Sequence, residues 1–269
     1  MKTLRERRDD QPAFVLHTYP YRETSVIVEA LTEQHGRVAL VARGAKRPRS
    51  ELRGVLQAFQ PLTLSWAGAA ELKTLVKAEW RGGLPLPGGA ALLCGFYLNE
   101  LLLKLLPRED PHPLLWTAYA SALQALTADA HPAAQSATLR RFEVRLLAEL
   151  GYALALTHDV DSGAPVDAAQ RYHYAFDRGP LALDGEETRT RAWPIVRGAT
   201  LLALSDQRYP DAETAAEAKR LMREVLDHYL EQRGIESRRM VQDLQALDDT
   251  WASTTPPQAA PRRTENARK

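Results

Sequence analysis

The chain has one cysteine, Cys94, in 269 residues, which excludes an intrachain disulfide framework and a zinc site built on several thiolates. Its neighbours Ala91, Leu92, Leu93 and Phe96 are apolar, so the thiol reads as an inert core group rather than a nucleophile. No run approaches the roughly 18 apolar residues that would span a bilayer, and no apolar stretch of a secretory signal follows the charged start MKTLRERRDD. The expectation is a soluble intracellular protein without a membrane partner. A dominant charge is missing too: 35 basic residues face 34 acidic ones, for a formal +1, so only local clustering can point to a polyanion.

Signatures of common catalytic centres are also absent. There is no Gly-x-Ser-x-Gly elbow, and RGAKRPRS lacks the spacing of a phosphate-binding G-x-x-x-x-G-K-[ST] loop. His158, Asp159, Asp161 and His173 are metal-capable, but their spacing matches no cation loop. Glu224, Asp227 and Glu231 share a helix face, as solvated carboxylates commonly do. These absences predict no enzyme centre, no bound metal and no cofactor.

What is present is organised. With 45% apolar residues the chain can bury a full core and fill two or three domains. Short β-like runs at 13–18, 25–32, 37–42, 56–66 and 69–76 are separated by Tyr19-Pro20, His35-Gly36, the 44–54 stretch and Gly68. Five strands in so short a span predict a small barrel or curled sheet, a form that removes exposed edges. After the punctuated linker RGGLPLPGG the period changes, and helices are expected over 90–106, 114–126, 134–150 and 211–233 in one bundle. The expected organisation is an N-terminal β domain over 1–82, a bundle from 83–151 and 211–248, an irregular insertion over 152–210 and a disordered tail over 249–269. Within the insertion, alternation of Tyr172, Tyr174 and Phe176 predicts one short strand.

The most informative segment is HGRVALVARGAKRPRSELR. It holds Arg37, Arg43, Lys46, Arg47, Arg49 and Arg53 against a single acid, Glu51, with Gly44 and Pro48 turning the chain between strands. Such a loop suits sequence-independent, salt-sensitive contact with phosphates. Beside it Tyr19, Tyr21 and Trp66 are candidate platforms for unpaired bases. A solvated loop kept basic for solubility, or a β domain docking another protein's acidic surface, uses the same residues without nucleic acid.

Three ordered motifs here resemble the bacterial RecO family of DNA repair proteins. They are Tyr21-Arg22-Glu23-Thr24-Ser25, Thr32-Glu33-Gln34-His35-Gly36-Arg37 and Ala42-Arg43-Gly44-Ala45-Lys46-Arg47-Pro48-Arg49-Ser50, followed by Leu56-Gln57-Ala58-Phe59-Gln60-Pro61. Phe142-Glu143, Leu146-Leu147, Leu150-Gly151 and the 234–239 run GIESRR extend the likeness into the helical part. The resemblance implies an α+β multidomain fold: an oligonucleotide-binding (OB) barrel, a helical bundle and an inserted zinc-finger-like piece. It also implies binding of single- and double-stranded DNA, strand annealing, work with RecR and RecF, and loading of RecA onto strands coated by the single-strand-binding protein. The expected place of action is the cytoplasm, at the nucleoid. The acidic, hydrophobic-ended tail of the single-strand-binding protein is expected in a bundle groove near Arg140, Arg141 or Arg145. Where many family members carry two Cys-x-x-Cys pairs, this chain has Asp159 and Ser162, then Ala182 and Gly185, so a closed thiolate zinc site is not expected.

Overall fold

Strand faces alternate, so a strand that is apolar at successive positions must be covered on both sides. Such a run is Ala13-Phe14-Val15-Leu16, and its two faces feed two different cores in the computed structural model, which describes residues 6–183, 193–230 and 234–238. Ala13 and Val15 point into a closed barrel with Val28, Val38, Leu40, Leu62, Leu64 and Trp66. Phe14 and Leu16 point outward into the core of the helices. The barrel is made of β1 (Arg7–Tyr21), β2 (Ser25–Thr32), β3 (Gly36–Ala42), β4 (Pro61–Ala67) and β5 (Leu72–Trp80), in the order β1-β2-β3-β5-β4. Parallel pairing of Ala39 to Leu72 through Val41 to Thr74 closes it between β3 and β5, which leaves no open edge. The arrangement is OB-like, with the one-turn helix α1 (Leu52–Val55) between β3 and β4.

The linker leads into α2 (Gly89–Leu105), α3 (Pro113–Ala128) and α4 (Pro132–Glu149), and α6 (Ala212–Tyr229) packs on α4. Proline opens α3 and α4, where its missing N–H costs nothing. The Asp211 carboxylate caps α6 by accepting from the Thr214 amide at 2.7 Å. No helix among the described residues is long and apolar enough to cross a membrane.

The span 152–210 is more ordered than its composition predicts. Instead of one strand it holds a three-stranded sheet, in the order β7-β6-β8, from β6 (Arg171–Ala175), β7 (Gly179–Ala182) and β8 (Ile195–Arg197). It also contains α5 (Gly198–Asp206), whose Leu201 and Leu204 are fully buried in the bundle core. A nine-residue helix shows too few turns for its period to stand out. The tail expected to be disordered, 249–269, lies outside the described residues.

Barrel and bundle meet at a polar seam around Glu29, which is only 1% exposed. Its carboxylate receives Arg37 at 2.8 Å, and Arg108 from the loop after α2. Arg37 Nε also donates to the Leu106 carbonyl at 2.9 Å. Asn99 Nδ2 donates to the Leu16 carbonyl at 2.8 Å, and Tyr119 donates to Asn99 Oδ1 at 2.5 Å. Gly36, at φ +64, lies against the Asp110 backbone so closely that a Cβ there would collide with it. Arg37 was expected to hold phosphate. Its guanidinium is instead spent inside this seam, because β3 turns residue 37 toward the helices rather than outward.

Candidate nucleic-acid interface

The barrel end away from the bundle carries the basic loop. Ala42 is buried at the end of β3, Gly44 turns the chain at φ +71, and buried Ala45 anchors the loop on the barrel. Backbone hydrogen bonds then set its shape: Arg47 N to Gly44 O at 3.0 Å, Ser50 N to Arg47 O at 3.0 Å and Arg53 N to Ser50 O at 3.2 Å. The side chains of Arg43, Lys46, Arg47, Arg49 and Arg53 take no part in this and are exposed. Among the described residues none of the five forms an ion pair, whereas Arg7, Arg8, Lys77, Arg108 and Arg197 all do. An ordered loop with several unneutralised cations focuses positive potential at one end of a nearly neutral molecule.

A second loop joins it. The Lys46 amide donates to the Thr24 carbonyl at 2.9 Å, tying the basic loop to the β1–β2 turn. That turn presents Arg22, at φ +51, with its guanidinium 5.2 Å from the centre of the Tyr21 ring. Tyr21 is half-buried, and Tyr19 is 43% exposed with its ring 4.5 Å from that of His17. A groove of about 290 Å³ lined by Thr18, Val26, Ala45, Lys46, Leu52, Arg53 and Leu56 opens beside the loop. An apolar floor with cations on its rim is what a single strand asks for, bases inward and phosphates outward. Arg22 was not among the candidates read from the sequence. Its signal is a cation at the tip of a tight turn between two strands, which becomes meaningful only once Thr24 and Lys46 are joined.

Trp66, expected to stack a base, is 1% exposed inside the barrel with His35 at its edge, ring centres 5.4 Å apart. No face of its ring is open to a ligand. Alternation itself turns Trp66 inward, because it shares the face of β4 that carries Leu62 and Leu64 into the barrel core.

The three bundle arginines separate onto different faces. Arg140 is buried and paired with Glu143, whose carboxylate also accepts from the Tyr97 hydroxyl at 2.7 Å. Burial, reinforced by Glu143, pushes the Tyr97 phenol far up, so it acts as a donor. Arg140 also lines a pocket of about 340 Å³ with Leu93, Cys94, Leu139, Lys219, Arg223 and Arg238. Cys94 is half-buried in the pocket wall rather than enclosed in the core, and burial raises its thiol pKa. Arg141 and Arg145 line a separate groove with Ala118, Ala122 and Ala125, and Arg145 lies 3.3 Å from Glu149.

In the insertion two turns meet at the Asp159 carboxylate. Asp159 Oδ1 accepts from the Ser162 amide at 2.7 Å, the Ser162 hydroxyl at 2.8 Å and the Asp161 amide at 3.1 Å, while Oδ2 accepts from the Ala182 amide at 2.6 Å. Both oxygens are committed, Ser162 donates to one of them, and Ala182 has no ligating atom; Gly185 lies outside the described residues. This donor set does not fit zinc. Among the described residues no three His, Cys, Asp or Glu side chains gather as a metal site would require. One carboxylate instead joins the two turns that a metal would join. Burial raises the Asp159 pKa, but the hydrogen bonds from Ser162, Ala182 and Asp161 outweigh it and hold the group below its ordinary value. Its stabilisation is therefore complete above about pH 4 and lost as pH falls through the lower folded-state pKa. Asp159→Ala is expected to cost about 2–4 kcal/mol and to remove that acid-side dependence in denaturant titrations at several pH values. Stoichiometric zinc in elemental analysis of the wild type would contradict the staple.

The chain matches the family model described as "Recombination protein O N terminal" over residues 8–83 and that described as "Recombination protein O C terminal" over residues 88–239. The chain belongs to the RecO family. It is 52% identical over 244 residues to the DNA repair protein RecO of Aromatoleum aromaticum, covering 90% of this chain and 99% of that one. The RecO of an Azoarcus species is 50% identical over 244 residues, covering 91% and 99%. That of Nitrosospira multiformis is 50% identical over 253 residues, covering 92% and 100%. The RecO N-terminal match takes in the barrel and both loops of the cationic end; the C-terminal match takes in the bundle and the inserted sheet.

Proposed function

We propose that this RecO-family protein is a non-enzymatic mediator of DNA repair and recombination. It holds single- and double-stranded DNA by the phosphates, anneals complementary strands, and with RecR helps load RecA onto single strands coated by the single-strand-binding protein, with RecF a further partner. The observation that carries this reading is the set of unneutralised cations, Arg22, Arg43, Lys46, Arg47, Arg49 and Arg53, held on two backbone-ordered loops joined at Thr24 and Lys46. Two complementary strands repel through their phosphates. A surface that neutralises them while leaving the bases exposed lowers the barrier to their meeting. None of these cations needs to reach a base edge, so sequence preference is weak. The inserted sheet serves as a metal-free counterpart of the family's zinc-bearing piece.

The pocket beside Arg140 supports docking of the single-strand-binding protein. Its wall is apolar at Leu93 and Leu139, and Lys219, Arg223 and Arg238 stand around it with no acidic residue in the lining among the described residues, although Arg238 is paired with Asp227 at 2.6 Å. An acidic peptide ending in a hydrophobic residue complements both features. Arg141 and Arg145 face another groove; of the three bundle arginines Arg140 borders this pocket, with its own charge met by Glu143, so Lys219 and Arg223 are the cations offered to the peptide.

The test is annealing of complementary oligonucleotides, bare and coated with single-strand-binding protein, by wild type and by Lys219→Glu with Arg223→Glu. Wild type accelerates both reactions; the double variant keeps the first and loses most of the second. No acceleration of bare-strand annealing by wild type would refute the function, and equal activity of the variant on coated strands would refute the pocket's role.

A further inference from the structure

We propose that Trp80 is a base-stacking residue, on whose exposed ring a single strand lays one base after its phosphates have crossed the basic loop. The proposal rests on the reading of the barrel as a single-strand-binding surface and supplies the aromatic platform that buried Trp66 cannot be.

Trp80 ends β5 and is 61% exposed, more than any other large apolar side chain among the described residues. A tryptophan left that open would ordinarily be free to swing. This one is pinned by its polar edge: Nε1 donates to Gln60 Oε1 at 3.0 Å, and Gln60, itself buried, is fixed because its Nε2 donates to the Leu84 carbonyl at 3.0 Å. The backbone is held as well, with the Arg81 amide donating to the Pro61 carbonyl at 3.0 Å. The indole is thus oriented in advance by two linked, partly buried hydrogen bonds, which lowers the cost of ordering it on binding. No packing gain explains the arrangement, since the ring stays in solvent.

The charges around it favour a nucleic acid over an acidic or purely apolar protein patch. Arg81 follows directly, is exposed and forms no ion pair among the described residues. Glu79 is neutralised by Lys77 at 2.8 Å. The one-turn helix α1, which carries Arg53, packs against β5, so a path from the basic loop through Arg53 to Trp80 and Arg81 stays on the barrel. Alternating cations and an open aromatic ring are the means by which sequence-tolerant single-strand grips work.

The experiment measures fluorescence anisotropy of full-length wild type, Trp80→Ala and Trp80→Phe with labelled oligo(dT) and with an abasic oligonucleotide of equal length. The alanine variant is expected to bind oligo(dT) about 5- to 100-fold more weakly, to bind the abasic polymer as wild type does, and to keep the wild-type salt dependence. Trp80→Phe keeps most of the affinity, because it retains a ring without the hydrogen bond. Unchanged oligo(dT) affinity in Trp80→Ala, or equal losses on both polymers, overturns the stacking role while leaving the barrel reading intact. The first of these results would point to a protein partner at the ring. Failure of wild type to bind either polymer at low salt overturns the barrel reading, and the stacking role with it.

Discussion

Changing Arg43, Lys46, Arg47 and Arg49 together to alanine is expected to weaken single-strand binding by about a hundredfold or more at low salt. The more diagnostic change is in slope. Each phosphate contact on a single strand contributes about 0.7 to the dependence of log affinity on log salt, so losing four contacts flattens it by about 3. At high salt the variant and the wild type should converge, since the lost interactions are the ones that salt screens. The fold should survive, because the loop is shaped by backbone bonds among Gly44, Arg47, Ser50 and Arg53 and by the Lys46 amide on Thr24, none of which uses the altered side chains. Anisotropy titrations across a range of salt, with thermal melting as a control, read both quantities. An unchanged slope would return the loop to the role of a solvated, solubilising segment.

Arg37→Ala should behave in the opposite way. It leaves Glu29 almost wholly buried with Arg108 as its remaining cation and removes the donor to the Leu106 carbonyl. Breaking one arm of a buried ion-pair set costs about 3–5 kcal/mol. In a chain of this size that lowers the melting temperature by roughly 10 °C. The salt slope of DNA binding should stay at its wild-type value, since Arg37 is 14% exposed at the side chain and faces the helices. Chemical denaturation beside the same anisotropy titration separates the outcomes. A stable variant with a flattened slope would make Arg37 a DNA contact after all. The two substitutions differ in consequence although the residues lie within one basic run, because only the loop residues project beyond the barrel.

Much of the molecule can be recognised in its sequence for local reasons. Strand alternation and turn residues mark the five barrel strands, although β1 begins earlier than its apolar run suggests: Arg7 and Arg8 pair with Ala67 and Trp66 through backbone groups, to which side-chain polarity is irrelevant. Three- and four-residue periodicity marks α2, α3, α4 and α6. The density of cations over 43–53 is itself a property of the sequence, and nothing in the fold had to be known to notice it.

Periodicity, punctuation and charge density are therefore local properties, set by neighbours along the chain. Which charges are free and which aromatics are open is settled by folding, because those depend on partners far away in sequence. Glu29 and Leu106 consume Arg37, closure of the barrel encloses Trp66, and Gln60 with Leu84 holds Trp80 in the open. The amide of Lys46 meeting the carbonyl of Thr24 brings Arg22 into the cationic end. In the insertion, Ala182 comes back to Asp159 across 23 positions, so that hydrogen bonds converging on one carboxylate can join two turns without a metal.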